Sequence, residues 1–362
     1  MRGRWLAALF CGGMVVAAAA QSPAGGAKAG VGAFTVDIPV LVLDKHGQPV
    51  LQLDQDLFRL SDNLRPQRIA RFETAARPVS LAIVVDAHDR DALAQAKRSA
   101  VLMASMVMGA EGEASVYVAG AQPGQVLGFT ADADKVEETL QHLPLSPAAP
   151  LGQGTVTQPA NQAVVDLSHR AADRTRAVLI IARQADRDGT DAHALEEAAM
   201  SQSVTIFRIS PEKLDNTAEA QNPDSVEVGG TGQGSQRDPN VMPNGANRGA
   251  PNYNNKDQAT VDLTPVLRTG AKVAGAVVTP HYLDYVFDSG GLTLGSGDNA
   301  EFDRQLSSIG ADLRALYHLY FRPDDLSAPS RRHRVEVRVL RGAETPPVGK
   351  IEYRRGYFGP VQ

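Results

Sequence analysis

The chain has a single cysteine, Cys11, one tryptophan, and few aromatic residues of any kind among its 362 residues. Cys11 lies in the N-terminal apolar segment, so the rest of the chain has neither disulfide bonds nor thiolate chemistry. No later apolar run reaches the roughly 18 residues that a membrane-spanning helix needs. The sequence also contains no Gly-x-Ser-x-Gly or His-Glu-x-x-His motif and no recognisable pair of catalytic carboxylates. These absences favour a non-enzymatic protein.

The first 20 residues have the pattern of a secretory signal peptide. Arg2 and Arg4 precede an apolar core, and Ala18–Ala20 provides the small residues of a cleavage site. We therefore expect an exported protein, either periplasmic or extracellular and associated with the cell envelope. The net charge of −5 includes both arginines, so cleavage would leave a charge of −7. Because no basic patch is present, nucleic acid is not an expected partner. We also expect no transmembrane segment after cleavage of the signal peptide.

Composition divides the rest of the chain into segments. Residues 21–33 are predicted to be a flexible leader, and residues 34–77 a small β-rich module. Residues 78–315 form the main domain, and residues 316–362 a C-terminal β segment that we expect to pack on the N-terminal module. Within the main domain, residues 215–256 contain no Leu, Ile or Phe. Such a segment buries too little apolar surface to offset its ordering entropy, which predicts a disordered insertion.

Apolar strands alternate with amphipathic helices within residues 78–315. Leu81–Val85, Ala177–Ile181 and Val204–Ile209 are largely apolar runs, typical of strands that are buried on both faces. This order predicts an α/β fold with a doubly wound, mostly parallel sheet, flanked by N-terminal and C-terminal β segments. Asp86 directly follows the first of these strands, at the sheet edge where α/β proteins bind their ligands.

Seven short segments resemble a known family. They are Leu43–Val50, Leu53–Phe58, Pro66–Phe72, Pro78–Leu81, Asp288–Gly291, Leu316–Phe321 and Arg354–Tyr357. In this order they resemble the von Willebrand factor A-related domain proteins of the acidobacterial type, over nearly all of the mature sequence. The resemblance implies a von Willebrand A (Rossmann-like) fold, export, and no known enzymatic activity.

The resemblance also implies a metal-ion-dependent adhesion site, with the pattern Asp-x-Ser-x-Ser and a later Thr and Asp. Such a site holds Mg²⁺ through hydroxyl, carboxylate and water oxygens. Here Asp86 occupies the first position, but His88 and Arg90 replace the two serines. Thr155 matches the threonine, whereas Arg183 stands where an acid is usual. Because hydroxyl ligands are lost and permanent cations are added, we predict a degenerate, metal-independent site.

Three arrangements of this site are open at the level of sequence. The favoured one is an ion pair of Asp86 with Arg90 or Arg183 in place of the ion. The second is a Mg²⁺ or Ca²⁺ site that uses Asp86 and Thr155. The third is a transition-metal cluster formed by Asp86, His88, Asp89 and Asp91.

The expected function is that of an exported interaction or adhesion-type module without a cofactor. It would bind a protein or glycan partner through the loops that carry Asp86, His88, Arg90, Thr155 and Arg183. Guanidinium groups in these loops would favour an acidic partner. Metal-dependent adhesion with Mg²⁺ or Ca²⁺, a structural role in the envelope, and an unrecognised hydrolase are the alternatives.

Overall fold

The computed structural model describes residues 34–104, 111–147, 155–183, 189–212, 284–324, 332–340 and 348–359. The predicted signal peptide, flexible leader and disordered insertion lie outside these residues. The described residues from Thr35 onward belong to one unit.

Four short strands and a 3₁₀ turn begin the described chain. The strands are β1 (Val36–Leu43), β2 (Phe58–Asp62), β3 (Arg65–Gln67) and β4 (Ile69–Glu73). The 3₁₀ turn at Gln55–Leu57 leads directly into β2. The burial of β2 alternates along its length, because only one face of an antiparallel sheet packs on the core.

A six-stranded sheet forms the centre of the molecule. Its strands are β5 (Val79–Asp86), β6 (Glu113–Ala119), β7 (Gly124–Thr130), β8 (Thr175–Ile181), β9 (Thr205–Ser210) and β10 (Thr293–Gly295). The strand order is β10-β9-β8-β5-β6-β7, and every neighbouring pair is parallel except β6–β7. The predicted α/β fold with a mostly parallel sheet is confirmed.

Helices cover both faces of this sheet. They are α1 (Arg90–Arg98), α2 (Ala100–Leu102), α3 (Ala133–Gln141), α4 (Thr157–Ser168), α5 (Gly189–Gln202), α6 (Asp284–Asp288) and α7 (Asn299–Arg314). Successive side chains of β5 point to opposite faces. Leu81 and Ile83 pack with α1, α3 and α7, whereas Ala82 and Val84 pack with α4, α5 and α6.

The last strands of the chain pair with the first ones. They are β11 (Tyr317–Phe321), β12 (Arg332–Val339), β13 (Lys350–Tyr353) and β14 (Gly356–Phe358). One sheet has the order β13-β1-β11-β4 and another the order β14-β12-β2-β3. All pairs in both sheets are antiparallel. The N-terminal strands therefore depend on the other end of the chain for hydrogen bonds.

The segment Asp288–Gly291 fixes α6 against the central sheet. Ser289 Oγ accepts a hydrogen bond from Ile206 N at 2.9 Å and donates one to Val286 O at 2.7 Å. A Cβ atom on Gly291 would lie 1.8 Å from Ile206 O, and Gly290 has a φ of +87°. Both glycines are therefore required by the backbone contacts of the fold.

Candidate functional site

The residues predicted for the site lie at the carboxyl edge of the central sheet. Asp86 ends β5, and Arg183 follows the neighbouring parallel strand β8. The Asp86 carboxylate accepts a hydrogen bond from the main-chain N–H of His88 at 3.0 Å. Asp89 then caps α1, since its Oδ1 accepts from Asp91 N at 2.8 Å and from Ala92 N at 3.2 Å.

Arg183 binds three carboxylates, and we call these four residues the Arg183 cluster. Arg183 Nε lies 2.9 Å from Asp89 Oδ2, and Nη1 lies 3.1 Å from Glu212 Oε1. Nη2 contacts Asp91 Oδ2. The guanidinium thereby connects the start of α1, the end of β8 and the segment after β9. Three negative charges against one positive charge leave the cluster acidic.

The predicted ion pair of Asp86 with Arg90 or Arg183 is not formed among the residues that the structure describes. The capping bonds of Asp89 use its Oδ1, so that Oδ2 remains available to Arg183. Asp86 is half-buried and bonded within its own turn. Burial raises the pKa of Asp86 and the charge of Asp89 adds to this, although the hydrogen bond from His88 opposes it.

His88 packs beneath the loop that follows β6. Its Nε2 is buried and has no hydrogen-bond partner within the described ranges. A Cβ atom on Gly120 would lie 3.8 Å from this nitrogen and 2.6 Å from Ser146 Oγ. Ser146 N donates to Ala87 O at 2.8 Å, and Ser146 Oγ accepts from Ala121 N at 2.8 Å. Ser146 therefore joins two of the loops at this edge.

Arg183 is the one predicted residue that belongs to the Arg183 cluster, and Arg90 and Thr155 lie apart from it as well. Arg90 begins α1 and is exposed, without an ion pair in the described part of the chain. Thr155 Oγ1 lies 3.0 Å from Thr157 Oγ1, and no hydrogen bond between described residues joins it to Asp86. The structure thus places Asp86, His88 and Arg183 at one edge of the sheet, but no hydrogen bond or ion pair between described residues joins Arg183 to Asp86 or His88.

Sequence reasoning missed Glu212 and Ser146. Glu212 lies two residues beyond β9, and the carboxyl ends of β8 and β9 share one sheet edge. The position of Glu212 after a strand could therefore have identified it. Ser146 follows no strand, so no comparable pattern marks it.

Arg183 already occupies three of the carboxylates at this edge. Its guanidinium contacts Asp89, Asp91 and Glu212, so that these oxygens are not open to a divalent cation, whereas Asp86 makes no ion pair in the described part of the chain. Within the described ranges, no three His, Cys, Asp or Glu side chains are arranged to hold a metal ion. The alternative cluster of Asp86, His88, Asp89 and Asp91 is therefore not found there.

No family model and no curated protein matches the chain. Solved structures that match include a von Willebrand factor type A protein from Catenulispora acidiphila. It has 9% identity and a TM-score of 0.40, covering 91% of this chain and 75% of that one. An aerotolerance-related membrane protein from Bacteroides fragilis has 13% identity and a TM-score of 0.39, covering 65% of this chain and 98% of that one.

Proximal thread matrix protein 1 from the mussel byssus is also similar. It has 10% identity and a TM-score of 0.37, covering 67% of this chain and 48% of that one. The matches include a von Willebrand A protein, as the sequence resemblance implies, but do not address the acidobacterial type. Because their TM-scores are low, these matches say nothing about a binding site or an activity of this chain. In the described residues, every helix is too short or too polar to span a bilayer.

Proposed function

We propose that this chain is an exported, non-enzymatic interaction module that binds a protein partner through the Arg183 cluster and the loops around it. The observation that carries the proposal is the guanidinium of Arg183 held between three carboxylates at the carboxyl edge of the sheet. Ligands of open α/β sheets bind at this edge. The guanidinium fixes the loops without a metal ion.

The charge of the cluster favours a basic partner. The expected acidic partner would need free guanidinium N–H groups. Those of Arg183 face Asp89, Asp91 and Glu212, which leaves the exposed Arg90 as the one guanidinium of the predicted site without an ion pair in the described part of the chain. The carboxylates of the cluster outnumber its guanidinium, and the nearby Asp86 carboxyl makes no ion pair in the described part of the chain. Lysine or arginine side chains of a partner would supply the missing positive charge.

Unfolding with and without divalent cations tests metal independence. An ion that binds only the folded state would raise stability by about 2.7 kcal/mol at one hundred times its dissociation constant. We expect equal unfolding midpoints in EDTA and in millimolar Mg²⁺, Ca²⁺ or Mn²⁺. A rise with one of these ions that Asp86→Ala abolishes would contradict the proposal.

Affinity capture from the native envelope tests the binding edge. We expect the double variant Asp91→Asn/Glu212→Gln to lose the captured partner, because it removes two of the negative charges. Asp303→Asn is the matched control, since Asp303 also accepts bonds from an arginine, Arg98, but lies on α7. The proposal fails if both variants retain the partner equally, provided that circular dichroism shows both to be folded at the temperature of the capture.

A further inference from the structure

The β2–β3 hairpin has an exposed leucine at its tip, in a backbone conformation that leucine rarely adopts. The two residues of the loop are Asn63 and Leu64, and both have positive φ, of 49° and 67°. A two-residue loop of type I′ requires this, and glycine is the usual residue at its second position. Leu64 is 74% exposed. Because a bulky side chain is strained at this φ and is hardly buried here, the fold itself gives no reason for a leucine.

Exposed arginines lie on both sides of this tip. Arg65 directly follows Leu64 in the chain. Arg334 of the neighbouring strand β12 lies beside Asn63, since Asn63 N donates to Arg334 O at 2.8 Å and Arg334 N donates to Asn63 Oδ1 at 3.0 Å. Both arginines are exposed, so that the strained leucine has a cation on each side.

Two further arginines lie next to each other where β3 passes into β4. Phe321 of β11 pairs with Ile69 of β4 in an antiparallel register, which makes the adjoining residues Arg322 and Arg68 neighbours. Both are exposed, and neither makes an ion pair within the described ranges. Because like charges on neighbouring strands are unfavourable, a negative charge from outside the chain would stabilise this arrangement.

These five residues, which we call the hairpin corner, have more positive than negative charge around them. The corner consists of Leu64, Arg65, Arg68, Arg322 and Arg334. Beside it, Asp324 is exposed and accepts a hydrogen bond from Gln67 Nε2 at 3.3 Å. The arginines come from three separate segments, so no basic run marks the corner in the sequence. The fold thus assembles a basic surface on a chain whose net charge is −5.

We propose that the hairpin corner binds an anionic lipid surface, with Leu64 inserted among the headgroups and the arginines bound to the lipid phosphates. Guanidinium groups bind phosphate oxygens through charge-assisted hydrogen bonds. A single apolar side chain among cations suits a lipid surface, which needs no complementary shape. A protein interface would instead need an extended apolar core. The corner shares no residue with the Arg183 cluster, so this binding is independent of the partner that we propose above.

Co-sedimentation of the mature chain with lipid vesicles tests this surface. Residues 1–20 are absent from the mature chain, and their apolar segment would itself bind lipid. We expect binding to vesicles of equal parts phosphatidylcholine and phosphatidylglycerol, and none to phosphatidylcholine alone. Arg68→Gln/Arg322→Gln should weaken binding about twentyfold, since each basic residue near an anionic surface contributes about fivefold. Leu64→Gly should weaken binding about tenfold, because it removes the inserted side chain.

Matched controls separate the corner from general effects of charge and folding. Lys135→Gln/Arg304→Gln removes the same charge from exposed positions on α3 and α7, and should bind like the wild type. Leu145→Ala removes another exposed leucine and should also bind normally. Leu64→Gly should be at least as stable as the wild type in urea, since glycine adopts this φ without strain.

The proposal is overturned if the anionic vesicles do not bind the chain, which is the result expected if the corner serves an acidic protein instead. Equal binding to neutral and anionic vesicles also overturns it, as does an equal loss in the two double variants. If Arg68→Gln/Arg322→Gln does not fold, Leu64→Gly decides, because unchanged binding in that variant contradicts the inserted leucine.

Discussion

Arg176 and Arg183 lie at opposite ends of β8, and their guanidinium groups have different surroundings. Arg183 contacts carboxylates from two other segments, whereas Arg176 donates only to main-chain oxygens among the described residues. One strand thus carries an arginine that contacts carboxylates and another that donates to main-chain oxygens. The first connects loops at the carboxyl edge of the sheet, and the second connects the amino end of β8 to the segments at the ends of α4 and α5.

Asp312 makes stability depend on pH. This residue of α7 is 2% exposed, its Oδ1 has no hydrogen bond in the described ranges, and burial raises its pKa to about 7. Because the folded pKa lies above the unfolded value, its contribution is fully present below about pH 4 and is lost as the pH rises through about 7. Because each pKa unit corresponds to about 1.4 kcal/mol, ionisation then destabilises the folded state by roughly 4 kcal/mol.

We therefore expect Asp312→Asn to be more stable than the wild type at pH 8, with the difference vanishing towards pH 4. Urea unfolding at both pH values measures it. Asp303→Asn is a control of opposite sign, because hydrogen bonds from Arg98 and Ser99 hold the pKa of Asp303 below its usual range. Equal or lower stability of Asp312→Asn at pH 8 would show that its carboxyl is not desolvated.

The strand-end pattern predicted part of the site and could not predict the rest. It correctly placed Asp86 and Arg183 at one edge, because neighbouring parallel strands end together. The partner of Arg183 depends on where α1 begins and on which oxygen of Asp89 remains free after capping. Neither follows from composition or periodicity. The sequence therefore favoured Asp86 as the partner of Arg183, whereas the structure shows Asp89, Asp91 and Glu212.

At the scale of elements, long periodic segments were predictable and short ones were not. The spacing of Phe302, Leu306, Ile309 and Leu313 predicts one buried helix face, and all four are buried in α7. Strand β10 has only three residues, which are too few to show an alternation. Its place in the sheet comes from parallel pairing with β9, a contact that local sequence does not encode.

The turn after α6 depends on Gly291, which gives a prediction at this scale. A Cβ atom there would lie 1.8 Å from Ile206 O in the central sheet, so that α6 or β9 must move. We expect Gly291→Ala to lower the free energy of unfolding by at least about 3 kcal/mol. Gly128→Ala is the control, since its Cβ atom would meet no atom within 4 Å. Similar losses in both variants, measured by urea unfolding, would argue against this close contact.

At the scale of the whole molecule, strands from the two ends of the chain hold each other. A buried cluster shows this connection, because Tyr357 OH donates to Asp62 Oδ2 at 2.8 Å and lies 3.0 Å from His333 Nδ1. His333 Nδ1 is itself 3.1 Å from both Asp62 oxygens. Strands β2, β12 and β14 meet at this point. Local sequence does not show which of these distant segments pair, although the composition of each segment indicates a strand.

Two deletions of different kinds test this arrangement. Removing residues 348–362 deletes β13 and β14, so that β1 loses one of its two neighbours and Asp62 and His333 lose Tyr357. Each buried polar group left unsatisfied costs about 1–3 kcal/mol, and lost strand pairing adds to this. The total is comparable to the 5–15 kcal/mol that stabilises a typical domain. We therefore expect this truncated chain to unfold or to lose most of its stability.

Replacement of residues 215–256 by a short Gly-Ser linker is the matched deletion. Because this segment has no Leu, Ile or Phe, we expect a loss below about 2 kcal/mol, within the range of a loop change. Tyr357→Phe isolates the hydroxyl and should cost about 1–3 kcal/mol. Urea unfolding followed by circular dichroism compares all three. If the truncated chain were as stable as the linker variant, the C-terminal strands would not be part of the cooperative fold, and the pairing of the chain ends would be incidental to its stability.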